Sequence, residues 1–550
     1  MSEELVAPAR ASLKARGERR VIAQAALVIM VGNVASRLLG MGREQVIAGF
    51  FGGGHVTDAF AAASAVPTSF YDLLIGGMVS AALVPVFTSF GHEKEERDLW
   101  VLVSVVLNLA AVALSAVVLV LVLLSTPLID FYGADFNAVD KALATHLLQL
   151  MLPSVLFMGL SGVLSAYLYS RQRFVLPAFC AAAYNASIIA AAILLRGRLG
   201  VSSLAVGVLA GACFQILLQA PGLRGLHYRA VLSLKHPGVR KIGQLYLPVF
   251  LGLIVSNVTV AIDRNLASRT GEGSLAAMRF ATTLIQMPLG LVSTALGLAF
   301  LPTLSAYAHK ESQTTPRGAR RSSGASEETA AEAGFKETLG LALRMVILLI
   351  VPAAAALLVL REPVIRLLYE HGAFNPDDTA RTATAFLAYS PGLPAAAIDQ
   401  LVIIAFYSRK NTVTPALVGL AGVVVYLAVA LPLLKPLGMP GLALANSAQW
   451  IAHMLIMLFL LRRVLGGMGG LGLGSTLIKA FAAAGVTALT ILAVSSTLGS
   501  MISTTAVAGL AAYVVILAGI GSLAYLASMY VLEVSELRIL WRIAMAKLGR

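Results

Sequence analysis

Charged residues are scarce in this sequence, at only 12% of 550 residues against 58% hydrophobic residues. Soluble globular domains carry about 25% charged residues, so water is not the main solvent of this chain. Cysteine is also rare, and both cysteines, Cys180 and Cys213, fall inside apolar stretches. A lone thiol there acts as a small hydrophobic side chain. We therefore expect no structural disulfide and no metal site.

Motifs of nucleotide-driven and hydrolytic enzymes are missing as well. The sequence contains no Gly-Lys dipeptide, and so no P-loop, and it has no HExxH pair or nucleophile elbow. We expect a transporter without its own ATPase and without an organic cofactor, rather than an enzyme. Its energy would come from an ion gradient, the membrane potential or the gradient of the substrate.

Long apolar runs fill most of the chain, and the mean hydropathy is +0.84. A run such as 99–125 is long enough to cross a hydrocarbon core of about 30 Å as a helix. The sequence predicts an all-α polytopic membrane protein of about fourteen transmembrane helices. The expected spans are 21–50, 57–90, 99–125, 141–169, 174–195, 199–221, 242–268, 274–307, 337–360, 380–407, 412–434, 438–461, 475–498 and 503–531.

The net charge of +14 comes mostly from short segments between the apolar runs. Segment 223–241 carries five Lys or Arg and no acid, whereas segment 127–140 carries three Asp and no Lys or Arg. This pattern indicates membrane topology and not a nucleic-acid partner, and it predicts both termini on the cytoplasmic side. The first apolar run lacks a small-residue cleavage site, so we expect it to be retained as the first span.

An internal repeat relates the two halves of the chain. The motif Tyr169-Ser170-Arg171 recurs as Tyr407-Ser408-Arg409, an offset of 238 (407 minus 169), and Leu199-Gly200 recurs at the same offset as Leu437-Gly438. Repeats of six spans each insert with the same orientation. Parallel repeats of this kind form transporters that rock about a central cavity; the alternative is an old duplication kept only for packing.

These features predict the following divisions of the chain. They are a cytoplasmic N-terminal segment (1–20), an N-lobe of six spans (21–222), a basic cytoplasmic linker (223–241), a C-lobe of six spans (242–465) with a flexible cytoplasmic loop (308–336), two further spans (466–533) that could form a lateral groove, and a cytoplasmic tail (534–550).

Two arginines lie inside the first predicted span, where a charge costs roughly 2.5 to 3.5 kcal/mol on insertion scales. Arg37 and Arg43 point about 240° apart on an ideal helix, but Gly40 and Gly42 between them could loosen the helix and let both face one cavity. Two guanidiniums suit a diphosphate, since each is a permanent cation with bidentate donors. Alternatively, Arg43 pairs with Glu44 or reaches an interface.

Further polar residues are predicted in or near the spans. Asp58 could pair with one of these arginines as a gate or could cap its helix. Asp263 could hold a coupling cation or neutralise Arg279, with Arg264 beside it. Other cavity candidates are Asn33, Arg344, Asp399 and Gln400, although asparagines in spans more often form hydrogen bonds between helices.

Several sequence blocks resemble one known family in the same order over roughly residues 25–465. They are Ser36-Arg37-Leu38-Leu39-Gly40 with Arg43, Thr57-Asp58-Ala59-Phe60, Val84-Pro85, Asp263-Arg264, Gln286-Met287-Pro288-Leu289-Gly290, Leu301-Pro302-Thr303 and Phe406-Tyr407-Ser408 with Thr414-Pro415. The chain resembles the MurJ/MviN lipid II flippases of the multidrug/oligosaccharidyl-lipid/polysaccharide exporter superfamily.

The resemblance implies that the chain moves lipid II, an undecaprenyl-diphosphate-linked precursor of peptidoglycan, to the outer leaflet of the bacterial cytoplasmic (inner) membrane. By position it gives Arg37, Arg43 and Asp58 the family's cavity and gate roles. We add Arg264 and Arg279 as further substrate-binding candidates and Glu44 as a further gate candidate. Na⁺ is the candidate coupling ion, at Asp263 and at Asn411, where relatives often carry Asp. A monomer is expected, with membrane lipids and cell-wall synthesis or division proteins as candidate partners.

The sequence also departs from the family. Tyr71 and Asp72 follow Pro67 where many members carry a cavity arginine, and Thr282 and Thr283 stand where many carry another. Arg279, one turn earlier, could compensate. The alternatives are therefore an exporter of another polyprenyl-linked glycan or of small cations, and a scaffold of the cell-wall machinery that no longer transports.

Overall fold

The structure is a computed structural model that describes residues 6–93, 96–225, 227–314, 325–534 and 536. The described residues are helical or irregular, and no strand occurs among them. The predicted all-α class is therefore confirmed. Residues 315–324 of the predicted flexible loop 308–336, and nearly all of the predicted tail, lie outside the described residues; the rest of that loop is helical, within Ala295–Thr314 and Ala325–Val359.

Contacts divide the chain into two units, Met1–Leu275 and Ala276–Arg550. The helices of the first unit are α1 (Val6–Phe51), α2 (His55–Tyr71), α3 (Val84–Glu93), α4 (Glu96–Leu123), α5 (Ser125–Tyr132), α6 (Ala138–Met151), α7 (Pro153–Ser170), α8 (Val175–Ala178), α9 (Cys180–Leu199), α10 (Ser202–Gln219) and α11 (Pro237–Ala267).

The second unit begins within α12. Its helices are α12 (Ser274–Leu289), α13 (Ala295–Thr314), α14 (Ala325–Val359), α15 (Arg361–Tyr369), α16 (Pro376–Tyr389), α17 (Gly392–Ser408), α18 (Val413–Leu437), α19 (Met439–Val464), α20 (Leu473–Met501) and α21 (Val507–Val531).

Among the described residues, ten helices are long and apolar enough to cross a membrane, or twelve if two bent pairs each count as one span. These twelve correspond to the third to fourteenth predicted spans. The first two predicted spans are helical but do not join that set. The predicted number of fourteen is therefore not confirmed, whereas a polytopic membrane protein is.

The second predicted span is interrupted by a change of helix type. After α2 the chain runs as a π-helix over Asp72–Leu83 before α3 begins, and the second unit has a shorter π-helix over Gly290–Thr294 after α12. Both stretches follow a helix that contains a proline, Pro67 or Pro288. π-Helical turns are rare and often mark functional sites. Each unit therefore has one candidate functional segment directly after its proline-containing helix.

The repeat predicted from sequence is present in the backbone. Gln172 and Lys410, which lie 238 residues apart, both adopt left-handed conformations with φ of 57° and 61°. Gly200 and Gly438, at the same offset, have φ of 54° and 61°. Left-handed φ is uncommon outside glycine. Its recurrence at the same offset shows that the two halves turn their chains in the same way.

Helix α11, which opens the predicted C-lobe, makes its contacts with the first unit. The Tyr246 hydroxyl donates to the carbonyl of Leu73 at 3.0 Å, and Asn265 Nδ2 donates to the carbonyl of Phe131 at 2.5 Å. The helix bends by 45° between Pro237–Leu247 and Gly252–Ala267. Pro248 lies in that break and cannot donate a backbone hydrogen bond.

The last two helices pack against α14 in the second unit. Pro352 has no N–H, which leaves the carbonyl of Leu348 without its helical partner, and the Tyr525 hydroxyl on α21 donates to that carbonyl at 2.8 Å. A cavity of about 290 Å³ lies among α14, α20 and α21, next to Pro352 and Tyr525. It adjoins the two helices for which the lateral groove was predicted.

One glycine fixes how closely α1 approaches α8. A Cβ added at Gly32 would lie 2.3 Å from the carbonyl oxygen of Ala178, whereas one at Gly42 would lie no closer than 3.8 Å to Ile189. Because the clash at Gly32 is with backbone, a neighbouring side chain cannot relieve it by moving.

We expect Gly32→Ala to destabilise the protein by about 1 to 3 kcal/mol through overpacking. Gly42→Ala on the same helix is the matched control and should be neutral or slightly stabilising, since alanine is the better helix former. Thermal unfolding of the purified variants in detergent measures both. A Gly32→Ala protein as stable as the Gly42→Ala protein would contradict this packing.

Candidate functional site

The candidate site is built around Arg43 on α1. Its Nη2 donates to Glu44 Oε1 at 2.6 Å, and its Nη1 donates to Asn185 Oδ1 on α9 at 3.0 Å. Asn185 Nδ2 in turn donates to the carbonyl of Ser36 at 3.2 Å. The arginine is therefore held on two sides, by the neighbouring carboxylate and by an amide that ties α9 to α1.

Burial differs sharply between the two members of this ion pair. The Glu44 side chain is 1% exposed, whereas that of Arg43 is 25% exposed. A buried carboxylate needs a compensating charge, since leaving it unpaired is strongly destabilising. Arg43 thus neutralises Glu44, which was one of the two alternatives predicted from the sequence. Part of the Arg43 side chain nevertheless remains exposed.

The expectation that glycines loosen the helix between the two arginines is wrong. Helix α1 is continuous over Val6–Phe51. A Cβ at Gly40 would lie 3.6 Å from Asn185 Nδ2, and one at Gly42 would lie 3.8 Å from Ile189. Both glycines therefore face α9 at ordinary contact distance, and the helix between Arg37 and Arg43 keeps its regular rotation.

Arg37 consequently projects from a different face of α1 than Arg43, about 240° away around the helix. It is partly buried and has interactions of its own. Asn33, one turn earlier, is exposed and shares that face because residues four apart are neighbours on a helix. The structure thus groups Asn33 with Arg37, and Arg43 with Glu44 and Asn185.

Asp58 lies in the first turn of α2, 3% exposed. Its Oδ2 accepts a hydrogen bond from the backbone N–H of Gly273, at the end of the loop that follows α11, at 2.6 Å. An acid in the first turn also interacts favourably with the helix dipole. Asp58 therefore anchors this loop to α2, which is a more specific role than the helix cap that the sequence allowed.

The same end of the first unit holds three further contacts between loops. His55 N donates to Glu272 Oε1 at 3.2 Å, His55 Nδ1 lies 2.8 Å from Asp140 Oδ1, and Ala134 N donates to Ser268 Oγ at 3.1 Å. Sequence reasoning did not single out His55, Asp140 or Glu272. The one related signal in the sequence was the acidic character of segment 127–140, which contains Asp140.

Arg264 on α11 bonds to α2 within the first unit. Its Nη1 donates to the carbonyl of Ala61 on α2 at 2.8 Å, and its charge acts on the carboxyl of Asp72. Asp72 is one of the residues at which we expected the sequence to depart from the family. The neighbouring Asp263 is partly exposed and has contacts of its own, and its coordination of Na⁺ stays a prediction.

In the second unit, Arg344 Nε donates to Glu536 Oε1 at 2.5 Å and its Nη1 donates to the carbonyl of Leu471 at 2.6 Å. Thr282 and Thr283 donate their hydroxyls to backbone carbonyls of their own helix, including that of Arg279 at 3.0 and 2.9 Å. The two threonines are therefore bonded within α12. Arg279 itself is partly buried and has contacts of its own.

Asn411 and Gln400 do not share one location. Asn411 Oδ1 accepts from the backbone N–H of Thr414 at 3.1 Å, and its Nδ2 donates to the Thr414 hydroxyl at 2.9 Å, which organises the start of α18. Gln400 is exposed. Asp399 instead lies beside His453 of α19, with Oδ2 2.8 Å from Nδ1.

Known proteins resemble this chain over most of its length. A family model described as "Lipid II flippase MurJ" matches residues 47–517. A lipid II flippase MurJ of Burkholderia cenocepacia is 28% identical over 412 residues, which cover 73% of this chain and 76% of that protein. A probable lipid II flippase MurJ of Vibrio cholerae is 29% identical over 447 residues, which cover 78% and 81%.

Solved structures show the same fold. The structure titled "Lipid II flippase MurJ, inward closed conformation" aligns with a TM-score of 0.73 at 23% identity and covers 95% of this chain and all of that one. A multidrug resistance MATE family transporter of the MOP superfamily aligns with a TM-score of 0.64 at 12% identity, over 80% of this chain and 98% of its own. Since the family model spans most of the sequence, the chain belongs to the lipid II flippase MurJ family.

Proposed function

We propose that this protein is a flippase that carries lipid II from the cytoplasmic to the outer leaflet by alternating access. The observation that carries the proposal is the family match over residues 47–517, together with relatives of that name over about three quarters of the chain. The family is one of transporters and not of catalytic enzymes.

The arginines of α1 supply the chemistry that such a cargo needs. A diphosphate that moves through a medium of low dielectric requires positive charge that deprotonation cannot remove, and arginine meets that requirement. Arg37 with Asn33 presents one cationic face of α1. Arg43 presents another, a quarter exposed although paired with Glu44. Arg264 adds a third cation in the same unit, on α11.

Complementation of a strain depleted of its lipid II flippase tests the proposal. Growth on this protein supports it, and failure with the protein present in the membrane contradicts it. In the latter case the cargo would be another polyprenyl-linked glycan, or the protein would be a scaffold of the cell-wall machinery. Export of small cations fits less well, since a cationic cargo would prefer an acidic cavity.

The proposed location is the bacterial cytoplasmic membrane, with both termini in the cytoplasm and the chain acting as a monomer among membrane lipids. Cell-wall synthesis or division proteins are candidate partners. What supports the orientation is the charge bias of the segments between spans, above all the basic segment 223–241.

Single-cysteine labelling measures this topology on a background that lacks Cys180 and Cys213. A cysteine at Ala134 should react with an impermeant reagent from outside the cell. A cysteine at Ser322, outside the described residues, should react only after the membrane is opened. The cysteine-free parent is the control, and labelling of both positions from one side would contradict the proposed span count.

A further inference from the structure

Asp399 and His453 form an ionisable pair between α17 and α19 of the second unit; α17 is the second half of a bent span with α16, and α19 is a span of its own. Asp399 lies near the centre of α17 and His453 near the centre of α19. A charge at that depth is costly, and intramembrane acids and histidines commonly form proton pathways. The pair is distinct from the arginines of the first unit.

The surroundings of the pair are mostly apolar. The Asp399 and His453 side chains are 14% and 13% exposed, and Oδ2 lies 2.8 Å from Nδ1. Asp399 Oδ1 and His453 Nδ1 are both buried, and neither makes a hydrogen bond among the described residues, so the 2.8 Å contact is an ion-pair distance without hydrogen-bond geometry. A buried polar atom without a hydrogen bond is costly, so the pair is not a fully satisfied structural contact.

The helices packed on α17 and α19 carry few ionisable groups, among the described residues, that could bind a proton in place of this pair. On α17 the charge of Asp399 acts on the Tyr407 phenol, and the backbone of Pro415 on α18 interacts with the His453 ring. On α14, Arg344 is paired with Glu536, and on α16, Arg381 is paired with Asp378. These cations are engaged with their own acids.

The internal repeat shows that the fold does not need this charge. At the offset of 238, Asp399 corresponds to Ser161 and His453 to Gln215 in the first unit. There the Ser161 hydroxyl accepts from Nε2 of a different glutamine, Gln219, at 2.7 Å, and the buried side-chain amide of Gln215 has no hydrogen-bond partner among the described residues. Equivalent helices thus pack around neutral side chains in one unit and around an acid and a base in the other.

We infer that Asp399 and His453 bind one proton reversibly and couple proton movement to transport. In the deprotonated site a carboxylate faces a neutral imidazole. One proton taken from water is shared by the pair, cancels its net charge, and is returned to water when the site opens to the other side. This inference rests on the proposed function, since transport is what the proton would drive.

The test replaces the pair with its counterparts from the first unit, Asp399→Ser with His453→Gln. Proteoliposomes loaded with lipid II are held at zero membrane potential, with no Na⁺ gradient, and a pH gradient is imposed. With one proton per cycle, the wild-type leaflet ratio of lipid II should shift about tenfold per pH unit. The double variant should move lipid II until the leaflets are equal, with no shift. A double variant that responds like wild type overturns the inference.

Two further measurements separate the possible failures. If wild type moves no lipid II, the proposed function fails, while infrared difference spectra of the purified protein between alkaline and acidic buffer still test the proton site. Carboxyl or imidazole bands lost in the double variant support it, and unchanged spectra refute it. Should the double variant not accumulate, Asp399→Asn with His453→Gln takes its place in both assays.

Discussion

Arg37→Ala should abolish lipid II flipping while the protein accumulates normally in the membrane. The variant removes a permanent cation from the face of α1 that it shares with Asn33, and the diphosphate then crosses the low-dielectric interior without compensation. Arg37→Lys should restore flipping only in part, since an ammonium lacks the bidentate fork of a guanidinium. Flipping is measured in proteoliposomes, and abundance by immunoblot of membranes.

Arg43→Ala should fail for two reasons that the structure makes separable. It removes a cation from the surface, and it also leaves buried Glu44, with its side chain 1% exposed, without its ion-pair partner. Breaking a buried pair in this way costs about 3 to 5 kcal/mol, so abundance should fall. Adding Glu44→Gln should restore abundance but not flipping.

The matched control for both arginines is Arg198→Ala, which removes an exposed cation at the end of α9. It should flip lipid II at the wild-type rate. Normal flipping by Arg37→Ala would defeat the diphosphate role of that arginine. Normal flipping by Arg43→Ala with Glu44→Gln would show that Arg43 serves only to neutralise Glu44.

Asp58→Ala should lower flipping about tenfold or more. The variant removes the buried acceptor of the Gly273 N–H, and a hydrogen bond to a charged group contributes about 1.5 to 3 kcal/mol. The loop after α11 would lose its attachment to α2, and the balance between transport conformations would shift by that amount. Initial rates in proteoliposomes measure the effect.

Asp58→Asn keeps a carbonyl oxygen that can accept from Gly273 and should retain most of the activity. Asp135→Ala is the control, because Asp135 is an exposed acid in the predicted outer loop after α5. If Asp58→Asn is as inactive as Asp58→Ala, then the negative charge and not the hydrogen bond is required. That outcome would support the predicted pairing of Asp58 with an arginine.

The overall fold was predictable because its signals are local. Long apolar runs define spans wherever they occur, and the motif at Tyr169 recurs at Tyr407 because both halves turn their chains alike. From α4 onwards, each predicted span corresponds to an apolar helix or a bent helix pair of the structure. The first span was harder, because Arg37, Arg43 and Glu44 lower the apolar character of its sequence.

The site was only partly predictable, because its contacts join residues far apart in sequence. The pairing of Arg43 with adjacent Glu44 could be proposed, but Asn185 is 142 residues away and Gly273 is 215 residues from Asp58. Glycine posed a different difficulty. A glycine in a helix can either weaken it or admit a neighbour, and only the position of α8 shows that Gly32 does the latter, whereas a Cβ at Gly40 or Gly42 would meet α9 at ordinary contact distance.

The attachment of α11 to the first unit has a consequence for biosynthesis. By Gln219 the ribosome has made the six predicted spans of the first repeat. Two carbonyls, of Leu73 on the π-helix after α2 and of Phe131 in α5, then still lack their partners, because Tyr246 and Asn265 are made later. At typical synthesis rates, the 48 residues from Gln219 to Ala267 take roughly 2 to 10 s. During that interval the nascent first unit lies in the bilayer without α11, and the surface that α11 will cover is open to an insertion chaperone.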